Sequence, residues 1–151
     1  MYDTKEIIKE IETLPRFEDQ ICLQSDESGD PFLGCGVNRN DTALVKKIFD
    51  TPVLNSIIDN HNLYRTRVMR MKPKTCYTYH QDPTKRLHVP VVTNDKCFLV
   101  VDDEVVRCPE LGKPYVIDTT KLHTAINAST ETRVHIVGCI PDSRRLFSYV
   151  S

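Results

Sequence analysis

The second half of the sequence consists of short runs of β-branched and aromatic residues separated by turn residues, at intervals of about ten positions. This spacing is typical of a β-sandwich or barrel, in which tight turns connect short strands. The predicted strands lie near residues 65–72, 75–81, 86–92, 97–101, 104–107, 114–118, 123–127 and 133–140. We therefore expect a mainly β fold of the α+β class, a double-stranded β-helix (jelly roll) whose two sheets enclose a cavity.

The first 63 residues have a different, helical character. Residues 4–14 carry isoleucine and leucine at helical spacing, and Pro15 ends the run. Further predicted elements are a strand within 16–24, a helix over 43–49 and a helix that begins at Thr51-Pro52. We expect these N-terminal helices to pack on one sheet of the β-rich part.

Length and charge narrow the classes of protein to which the chain could belong. Its 151 residues suffice for one hydrophobic core but not for two independent ones. We expect one domain over 1–151, with a helical part over 1–63 and a jelly-roll core over 64–151. The net charge is −1 and both signs are interspersed, which argues against nucleic acid as a partner.

Hydropathy and cysteine spacing indicate the compartment. No apolar run approaches the ~20 residues that span a bilayer, and the N-terminus has no signal-peptide pattern. We therefore expect a cytoplasmic protein without a membrane partner, in which the six cysteines are reduced thiols. They include no Cys-x-x-Cys pair, so a structural zinc site is not indicated. Cys97 and Cys139 lie in apolar runs and are predicted core residues.

Five basic residues cluster over ten positions, at Arg65, Arg67, Arg70, Lys72 and Lys74. Alternation along a strand would place several of them on one face of a sheet. One interpretation is a local basic patch. The other, a solvated surface, is the commoner environment of charged residues and is the one that we expect.

His80, Asp82 and His123 are the candidate metal ligands and are called the His–Asp–His group below. Two imidazoles and a carboxylate form the ligand set of non-haem Fe(II) oxygenases, in which the remaining positions on the metal stay open. Residues i and i+2 of a strand share a face, so His80 and Asp82 can bind one metal. His123 must come from another strand.

Arg133 follows His123 by ten positions and offers a planar cationic group suited to a carboxylate. If a hairpin joined near 128–130 places the two residues on neighbouring strands, both side chains could face the same cavity. Asp118 could orient the His123 ring as a hydrogen-bond acceptor, or it could simply end a strand.

Each of these residues also has an ordinary structural interpretation. Isolated histidines are often surface or core residues, and His-x-Asp pairs occur by chance. Asp82 precedes a proline and suits a turn. Arg86 and Arg133 could be surface ion-pair partners. Tyr77 and Tyr79 could shape the mouth of a pocket or pack in the core.

An ordered series of short motifs runs from Arg70 to Val137. The motifs are Tyr79-His80-Gln81-Asp82, Arg86-Leu87-His88-Val89-Pro90, Val91-Val92-Thr93-Asn94, Val116-Ile117-Asp118-Thr119, His123-Thr124-Ala125-Ile126-Asn127 and Arg133-Val134-His135. In this order they resemble the aspartyl/asparaginyl β-hydroxylases, a family of Fe(II)/2-oxoglutarate dioxygenases that also contains bacterial proline cis-hydroxylases. The resemblance covers about half of the chain, and the first sixty residues match no motif.

The resemblance implies a role for each candidate site residue. It implies that the His–Asp–His group binds catalytic Fe(II) and that Arg133 pairs with the distal carboxylate of the cosubstrate 2-oxoglutarate. It further implies that Arg86 and His88 contact the cosubstrate near the metal. The implied reaction consumes O₂, converts 2-oxoglutarate to succinate and CO₂, and hydroxylates a C–H bond.

We therefore expect a 2-oxoglutarate/Fe(II) dioxygenase that hydroxylates an amino-acid side chain. One alternative is a cupin-like module that binds a metal or ligand without turnover. Another is a cupin enzyme that uses zinc or manganese. The prime substrate stays open among aspartate, asparagine or proline in a protein, a free amino acid and another small metabolite. Substrate contacts are expected from the N-terminal third and from loops near 26–40, and no oligomeric state is indicated.

Overall fold

The computed structural model describes residues 1–36 and 41–141. Residues 37–40, which belong to the loops expected to contact substrate, and residues 142–151 lie outside the described part. The helices of the described part are α1 (Thr4–Glu12) and α2 (Pro52–His61). Its strands are β1 (Gln20–Cys22), β2 (Gln24–Ser25), β3 (Lys46–Lys47), β4 (Tyr64–Met71), β5 (Thr75–Cys76), β6 (Arg86–Val92), β7 (Cys97–Val101), β8 (Glu104–Val106), β9 (Tyr115–Ile117), β10 (His123–Asn127) and β11 (Arg133–Cys139).

Two antiparallel sheets form the β-rich part of the structure. The five-stranded sheet has the order β1-β4-β11-β6-β9, and the four-stranded sheet has the order β5-β10-β7-β8. β2 and β3 form a separate two-stranded ribbon. Residues of both large sheets line one cavity, so the sheets face each other. The predicted mainly β, jelly-roll architecture is confirmed.

Alternation along the central strands gives the five-stranded sheet two different faces. One face packs against both helices, and the buried core between them contains Ile7, Ile11, Leu54, Ile57, Ile58, Val68, Leu87, Val89, Val91 and Ile136. Residues of β4, β6 and β11 that alternate with these point to the opposite side and line the cavity, among them Arg67, Arg86 and Arg133. The helices thus cover one face of the five-stranded sheet, as predicted, and the cavity lies on its other face.

A second apolar cluster fills part of the space between the sheets. Its buried members are Met71, Leu99, Val101, Cys108, Ile117 and Ala125, which come from both sheets and from the loop after β8. Burial of a large apolar side chain contributes roughly 1.5–3 kcal/mol, so this cluster favours the closed sandwich. Leu99 and Ala125 also line the cavity and give it an apolar wall.

The segment 43–49 is not a helix, contrary to the prediction. A short 3₁₀ turn covers Asp41–Ala43, and the following β3 pairs with β2. The carbonyl of Leu44 accepts the amide of Arg65 at 2.8 Å. So short a helix is marginal by itself, and hydrogen bonds to distant segments outweigh its local preference. The strand predicted within 16–24 is confirmed by β1 and the start of β2.

The strand predicted over 75–81 is regular only at its beginning, in β5. Beyond β5, His80 forms an isolated bridge with His123. The amide of Asp82 then donates to the carbonyl of Thr119. The proline that follows Asp82 cannot donate a ladder hydrogen bond, so the pairing does not extend beyond Asp82.

The basic cluster over 65–74 is not a uniformly solvated surface. Arg65 and Arg67 are only 7% and 6% exposed and line the cavity. Arg70 belongs to the other face of β4, where its guanidinium lies 3.8 Å above the ring of Phe17. The expectation of a solvated face is therefore wrong for Arg65 and Arg67, and alternation within one strand explains the split.

The burial of two cysteines confirms the prediction that they are core residues. All six are free thiols, and Cys97 and Cys139 are buried. None of the helices in the described residues combines the length and the apolar character needed to cross a membrane.

Candidate metal centre

The three candidate metal ligands converge in the space between the sheets. Their ligand atoms all lie within 4.8 Å of one another. Nε2 of His80 is 3.5 Å from Oδ1 of Asp82, and Nε2 of His123 is 3.4 Å from Oδ2 of Asp82. Two imidazole nitrogens and a carboxylate so placed can hold one transition metal. Among the described residues, no other group of His, Cys, Asp or Glu has this geometry.

Main-chain hydrogen bonds hold the two histidines side by side. The amide of His80 donates to the carbonyl of His123, and the amide of His123 donates back, both at 3.0 Å. The amide of Asp82 donates to the carbonyl of Thr119 at 2.8 Å. These bonds attach the segment after β5 to β10 and to the turn before it. The spacing of the ligands therefore follows from the backbone.

A backbone carbonyl orients the ring of each histidine. Nδ1 of His80 lies 2.8 Å from the carbonyl oxygen of Thr78, and Nδ1 of His123 lies 2.9 Å from that of Lys121. A carbonyl oxygen only accepts, so each Nδ1 carries the proton. Each Nε2 then keeps its lone pair for a metal.

Asp118 does not orient His123, which corrects one of its two interpretations. Its carboxylate accepts hydrogen bonds from the hydroxyl and the amide of Thr120. The hydroxyl bond in particular lowers the pKa of Asp118. Because the carbonyl of Lys121 already accepts the proton of the His123 ring, Asp118 serves the turn after β9 instead.

Arg86 and His88, both on β6, lie next to the His–Asp–His group. Nη2 of Arg86 is 3.3 Å from Oδ1 of Asp82. Nδ1 of His88 is 3.0 Å from Nδ1 of His135. Burial, followed by the charge of Arg133, keeps the pKa of both histidines well below the ordinary value. Both rings are therefore neutral, and one Nδ1 donates to the other.

Arg133 is a buried cation with no matching anion in the described part of the chain. The residue is 2% exposed, and its Nε has no hydrogen-bond partner among the residues that the structure describes. Among the described residues it forms no ion pair, although Arg65 and Arg86 do. Burial lowers the pKa of Arg133, yet a guanidinium stays charged at neutral pH. Such a charge is unfavourable in a protein interior unless a ligand supplies the anion.

One cavity of about 330 Å³ brings all the predicted site residues together. Its lining includes His80, Asp82, Arg86, His88, His123 and Arg133. Of the two tyrosines considered above, Tyr77 lines this cavity and Tyr79 is 57% exposed. The interpretation of Arg86 and Arg133 as surface residues is wrong, because both are buried.

His123 and Arg133 face the cavity from different sheets, which corrects the predicted hairpin. β10 belongs to the four-stranded sheet and β11 to the five-stranded sheet. Asn127 stabilises the crossing, because its Nδ2 donates to the carbonyls of Met71 and Glu131 at 2.9 and 2.8 Å. The two side chains therefore approach the cavity from opposite walls.

Arg67 is a cavity residue that sequence reasoning did not assign to the site. Its Nη1 donates to Oε1 of Gln20 at 3.0 Å, while its buried Nε has no partner within the described residues. Burial, followed by the charges of Arg65 and Arg86, lowers the pKa of Arg67 to about 10. The available signal was the alternation Arg65-x-Arg67-x-Met69, which places basic residues on one face of the strand.

A wider cavity of about 710 Å³ adjoins the first one. The residues that line both are Gly36, Arg65, Arg67, Met69, Tyr77 and His80. Arg70 and Lys72 add further positive charge to the wider cavity, and Asp19 adds a negative one. A molecule in the wider cavity can therefore contact a cationic wall next to a candidate metal ligand.

Comparison with protein families classifies the chain. The model of the aspartyl/asparaginyl β-hydroxylases matches residues 4–140. The chain belongs to this family. The resemblance inferred from Arg70–Val137 is thereby confirmed, and it extends to the N-terminal helices, in which no motif was apparent. Membership in this β-hydroxylase family indicates a metal-dependent oxygenase, and the His–Asp–His group is the possible metal site in its structure.

Several solved structures are similar to part of the β-hydroxylase-family chain. A cupin domain from Bordetella pertussis is 20% identical and covers 52% of this chain and 81% of its own, with a TM-score of 0.45. A cupin 2 conserved barrel domain protein from Salinispora arenicola is 12% identical, with coverages of 56% and 68% and a TM-score of 0.43. A protein from Photorhabdus luminescens is 15% identical, with coverages of 56% and 68% and a TM-score of 0.44. No curated protein matches the sequence significantly.

Proposed function

We propose that this protein is an Fe(II)- and 2-oxoglutarate-dependent dioxygenase that hydroxylates an amino-acid side chain, either in a protein or in a free amino acid. The observation that carries the proposal is the buried Arg133, which has no ion-pair partner within residues 1–36 and 41–141 and lines the cavity of the His–Asp–His group. Metal binding alone accounts for the three ligands but not for a buried cation on the opposite wall. A dicarboxylate that reaches from the metal to Arg133 accounts for both.

Different cavity residues are proposed to contact the two ends of the cosubstrate. The planar fork of Arg133 suits the distal carboxylate, to which it can donate two parallel hydrogen bonds. Arg86 and His88 are placed to contact the part of the cosubstrate near the metal. Asp82 currently has Arg86 as its counter-ion. If Asp82 ligated a metal, its charge would be balanced there, and the Arg86 guanidinium would be free to donate to the cosubstrate.

Iron and 2-oxoglutarate, when bound, supply the oxidising chemistry that turns O₂ and a C–H bond into an alcohol, with succinate and CO₂ as the other products. The protein contributes the geometry and the surroundings. The His–Asp–His group would supply three ligands to the metal and would leave its other positions open. The apolar wall that includes Leu99, Ala125 and Val137 limits water near the reacting atoms.

The buried charge of Arg67 supports the inference that the prime substrate is acidic. Arg65 lies 3.5 Å from Asp41 and so has an acidic partner. Arg86 likewise pairs with Asp82. Arg133 is assigned to the distal carboxylate of the cosubstrate. Arg67 then keeps a buried charge without an ion-pair partner in the described part of the chain, at the wall shared with the wider cavity. We infer that a carboxylate of the prime substrate binds there.

The proposal is tested by anaerobic titration of the protein with Fe(II) and then with 2-oxoglutarate. Chelation of the metal by the cosubstrate should produce a weak visible metal-to-ligand charge-transfer band that requires both additions. His123→Ala should abolish the band, and Arg133→Ala should shift its titration to higher 2-oxoglutarate concentrations. If Fe(II) binds tightly and no band forms at any 2-oxoglutarate concentration, the chain is a metal-binding module without this cosubstrate.

The acidic-substrate inference has its own test. The iron-loaded protein is given 2-oxoglutarate together with peptides and free amino acids in matched pairs, aspartate against asparagine and free carboxylate against amide. Succinate formation should be stimulated by the acidic member of a pair. Arg67→Gln should remove this preference, whereas Arg107→Gln, at an exposed arginine that lines neither cavity, should retain it. An unchanged preference in Arg67→Gln contradicts the assignment of Arg67.

A further inference from the structure

Two cysteines outside the His–Asp–His group lie close together. Cys22 ends β1 and is fully buried, and Cys35 lies half-buried in the loop that follows residue 31. Their Sγ atoms are 4.0 Å apart. The four remaining cysteines show no comparable thiol–thiol contact, and all of them lie within the described residues.

The loop that carries Cys35 is packed directly on the Cys22 thiol. A Cβ atom at Gly34 would lie 2.6 Å from Sγ of Cys22, so only glycine fits between the thiol and the loop. The amide of Cys22 donates to the carbonyl of Pro31 at 2.8 Å. These contacts of Pro31 and Gly34, which both precede Cys35 in the loop, hold the loop against Cys22 and keep the two sulfur atoms close together.

The environment gives the two thiols different acidities. The hydrogen bond from Cys22, together with the charges of Arg67 and Arg65, lowers the pKa of Cys35 to about 7. The same hydrogen bond and burial raise the pKa of Cys22. At neutral pH Cys35 is therefore partly a thiolate, the form that attacks disulfides, while Cys22 holds its proton.

We propose that Cys22 and Cys35 are a redox-active pair that exchanges with low-molecular-weight disulfides and closes into an intramolecular disulfide. The Cys35 thiolate attacks one sulfur of the small disulfide, forms a mixed disulfide and releases one small thiolate. Cys22 then loses its proton, which the released thiolate accepts, and attacks Sγ of Cys35. The second small thiolate leaves and takes up a proton from the solvent. The pair is oxidised by two electrons, and one small disulfide is reduced to two thiols.

The disulfide would fasten one wall of both cavities. Nε of Arg65 donates to the carbonyl of Gly34 at 2.9 Å, and Nη2 of Arg65 donates to that of Gly36 at 3.4 Å. Gly36 and Arg65 line both cavities. The Cys22–Cys35 disulfide would therefore link the loop to the five-stranded sheet through a covalent bond. This is the loop whose carbonyls accept hydrogen bonds from Arg65. The thiol chemistry itself requires neither metal nor cosubstrate, so it stands apart from the proposed oxygenase activity.

The test uses the full-length protein, equilibrated with mixtures of oxidised and reduced glutathione, acid-quenched, alkylated and mapped by mass spectrometry. We expect a linked peptide that joins Cys22 to Cys35 and disappears on reduction. Closure of this loop should raise Tm by roughly 5–10 °C. Cys22→Ser should trap glutathione on Cys35. Cys35→Ser should leave Cys22 unmodified.

Cys76 provides the matched control, because it is exposed and lies in β5 of the four-stranded sheet, whereas Cys22 belongs to the five-stranded sheet. It should form only the mixed disulfide with glutathione, and Cys76→Ser should leave the yield of the Cys22–Cys35 disulfide unchanged. The proposal is overturned if glutathione stays on Cys35 while Cys22 remains free. It is equally overturned if both cysteines stay reduced under conditions that modify Cys76.

Discussion

At the scale of single residues, the candidate site depends on which nitrogen of each histidine is free. His80 and His123 share one arrangement, in which Nδ1 donates to the carbonyl of the residue two positions earlier. The residue types at 80, 82 and 123 could be recognised in the sequence as potential ligands. The tautomers could not, because they depend on the local path of the backbone.

Removal of the carboxylate should weaken metal binding. Asp82→Ala deletes one of three ligands, and we expect the dissociation constant for Fe(II), or for Co(II) as a stable substitute, to rise roughly 10-fold or more. Asp118→Ala, which removes only contacts to Thr120, is the control and should bind metal like the wild type. An unaltered dissociation constant in Asp82→Ala would mean that two histidines suffice.

Loss of the Arg133 guanidinium should weaken cosubstrate binding and leave the metal site intact. Charge-assisted hydrogen bonds contribute about 1.5–3 kcal/mol, so Arg133→Ala should raise KM for 2-oxoglutarate roughly 10- to 100-fold. Metal affinity, measured separately, should stay near the wild-type value. A KM for 2-oxoglutarate equal to that of the wild type would show that Arg133 is merely structural.

Mild acid should destabilise the fold through His88 and His135. Burial holds their folded pKa well below the ordinary 6.5, so the unfolded chain takes up protons below pH 6.5 while the folded chain does not. Stability is therefore complete above pH 6.5 and decreases below it, by up to about 1.4 kcal/mol per pH unit for each histidine. Urea denaturation of the metal-free protein between pH 7.5 and 5.0 measures this slope. His135→Gln should make it shallower, and an equal slope in that variant would contradict the assignment.

At the scale of the elements, α2 depends on a residue of α1 for its N-terminal cap. The side chain of Thr51, at the N-cap position, makes no capping hydrogen bond. Instead the two carboxylate oxygens of Glu10 accept the amides of Val53 and Leu54, both at 2.9 Å. A carboxylate at this end also interacts favourably with the helix dipole. The sequence predicts the start of α2 from its proline but gives no sign of a cap more than forty residues away.

Glu10→Ala should therefore destabilise the protein more than its surface position suggests. Loss of both capping bonds should lower the free energy of unfolding by about 1–2 kcal/mol. Glu12→Ala is the control, because Glu12 is exposed on the same helix and should change the stability little. Chemical denaturation of the two variants measures the difference. Equal stability of the two would show that the cap contributes nothing.

Element predictions succeeded where a segment carries its own periodic pattern. β4, β6, β7, β10 and β11 were expected within a few residues of their observed bounds, because apolar residues dominate or alternate in them. The prediction for the segment 43–49 was wrong because its structure depends on a distant strand and not on its own pattern. Its local pattern suggests a helix, but β3 pairs with β2, and that pairing is a long-range contact. No short window of sequence contains it.

At the scale of the whole molecule, the cavity joins the two large sheets. His123 belongs to the four-stranded sheet, and His80 is attached to it by the bridge between the two residues. Arg86 and Arg133 belong to the five-stranded sheet. A metal and a dicarboxylate bound together would therefore connect both walls of the sandwich. We expect this connection to raise the free energy of unfolding.

Ligands should stabilise the protein in two separate steps. At about 100 times the dissociation constant a ligand adds about 2.7 kcal/mol, or roughly 5–10 °C in Tm for a chain of this size. Co(II) alone should produce the first shift, and 2-oxoglutarate should add a second one only when the metal is present. Arg133→Ala should keep the first shift and lose most of the second. A full second shift in this variant would contradict the assigned role of Arg133.

The sequence by itself determined the residue types of the site, the alternation that sends them to one face of each strand, and the family to which the chain belongs. These properties are local or follow from the order of motifs along the chain. Only the tertiary structure placed His123 and Arg133 on opposite sheets, buried Arg67 in the cavity wall and brought Cys22 to Cys35. Each of these depends on which distant segments pair, and pairing is decided by the burial and hydrogen bonding of the whole sandwich.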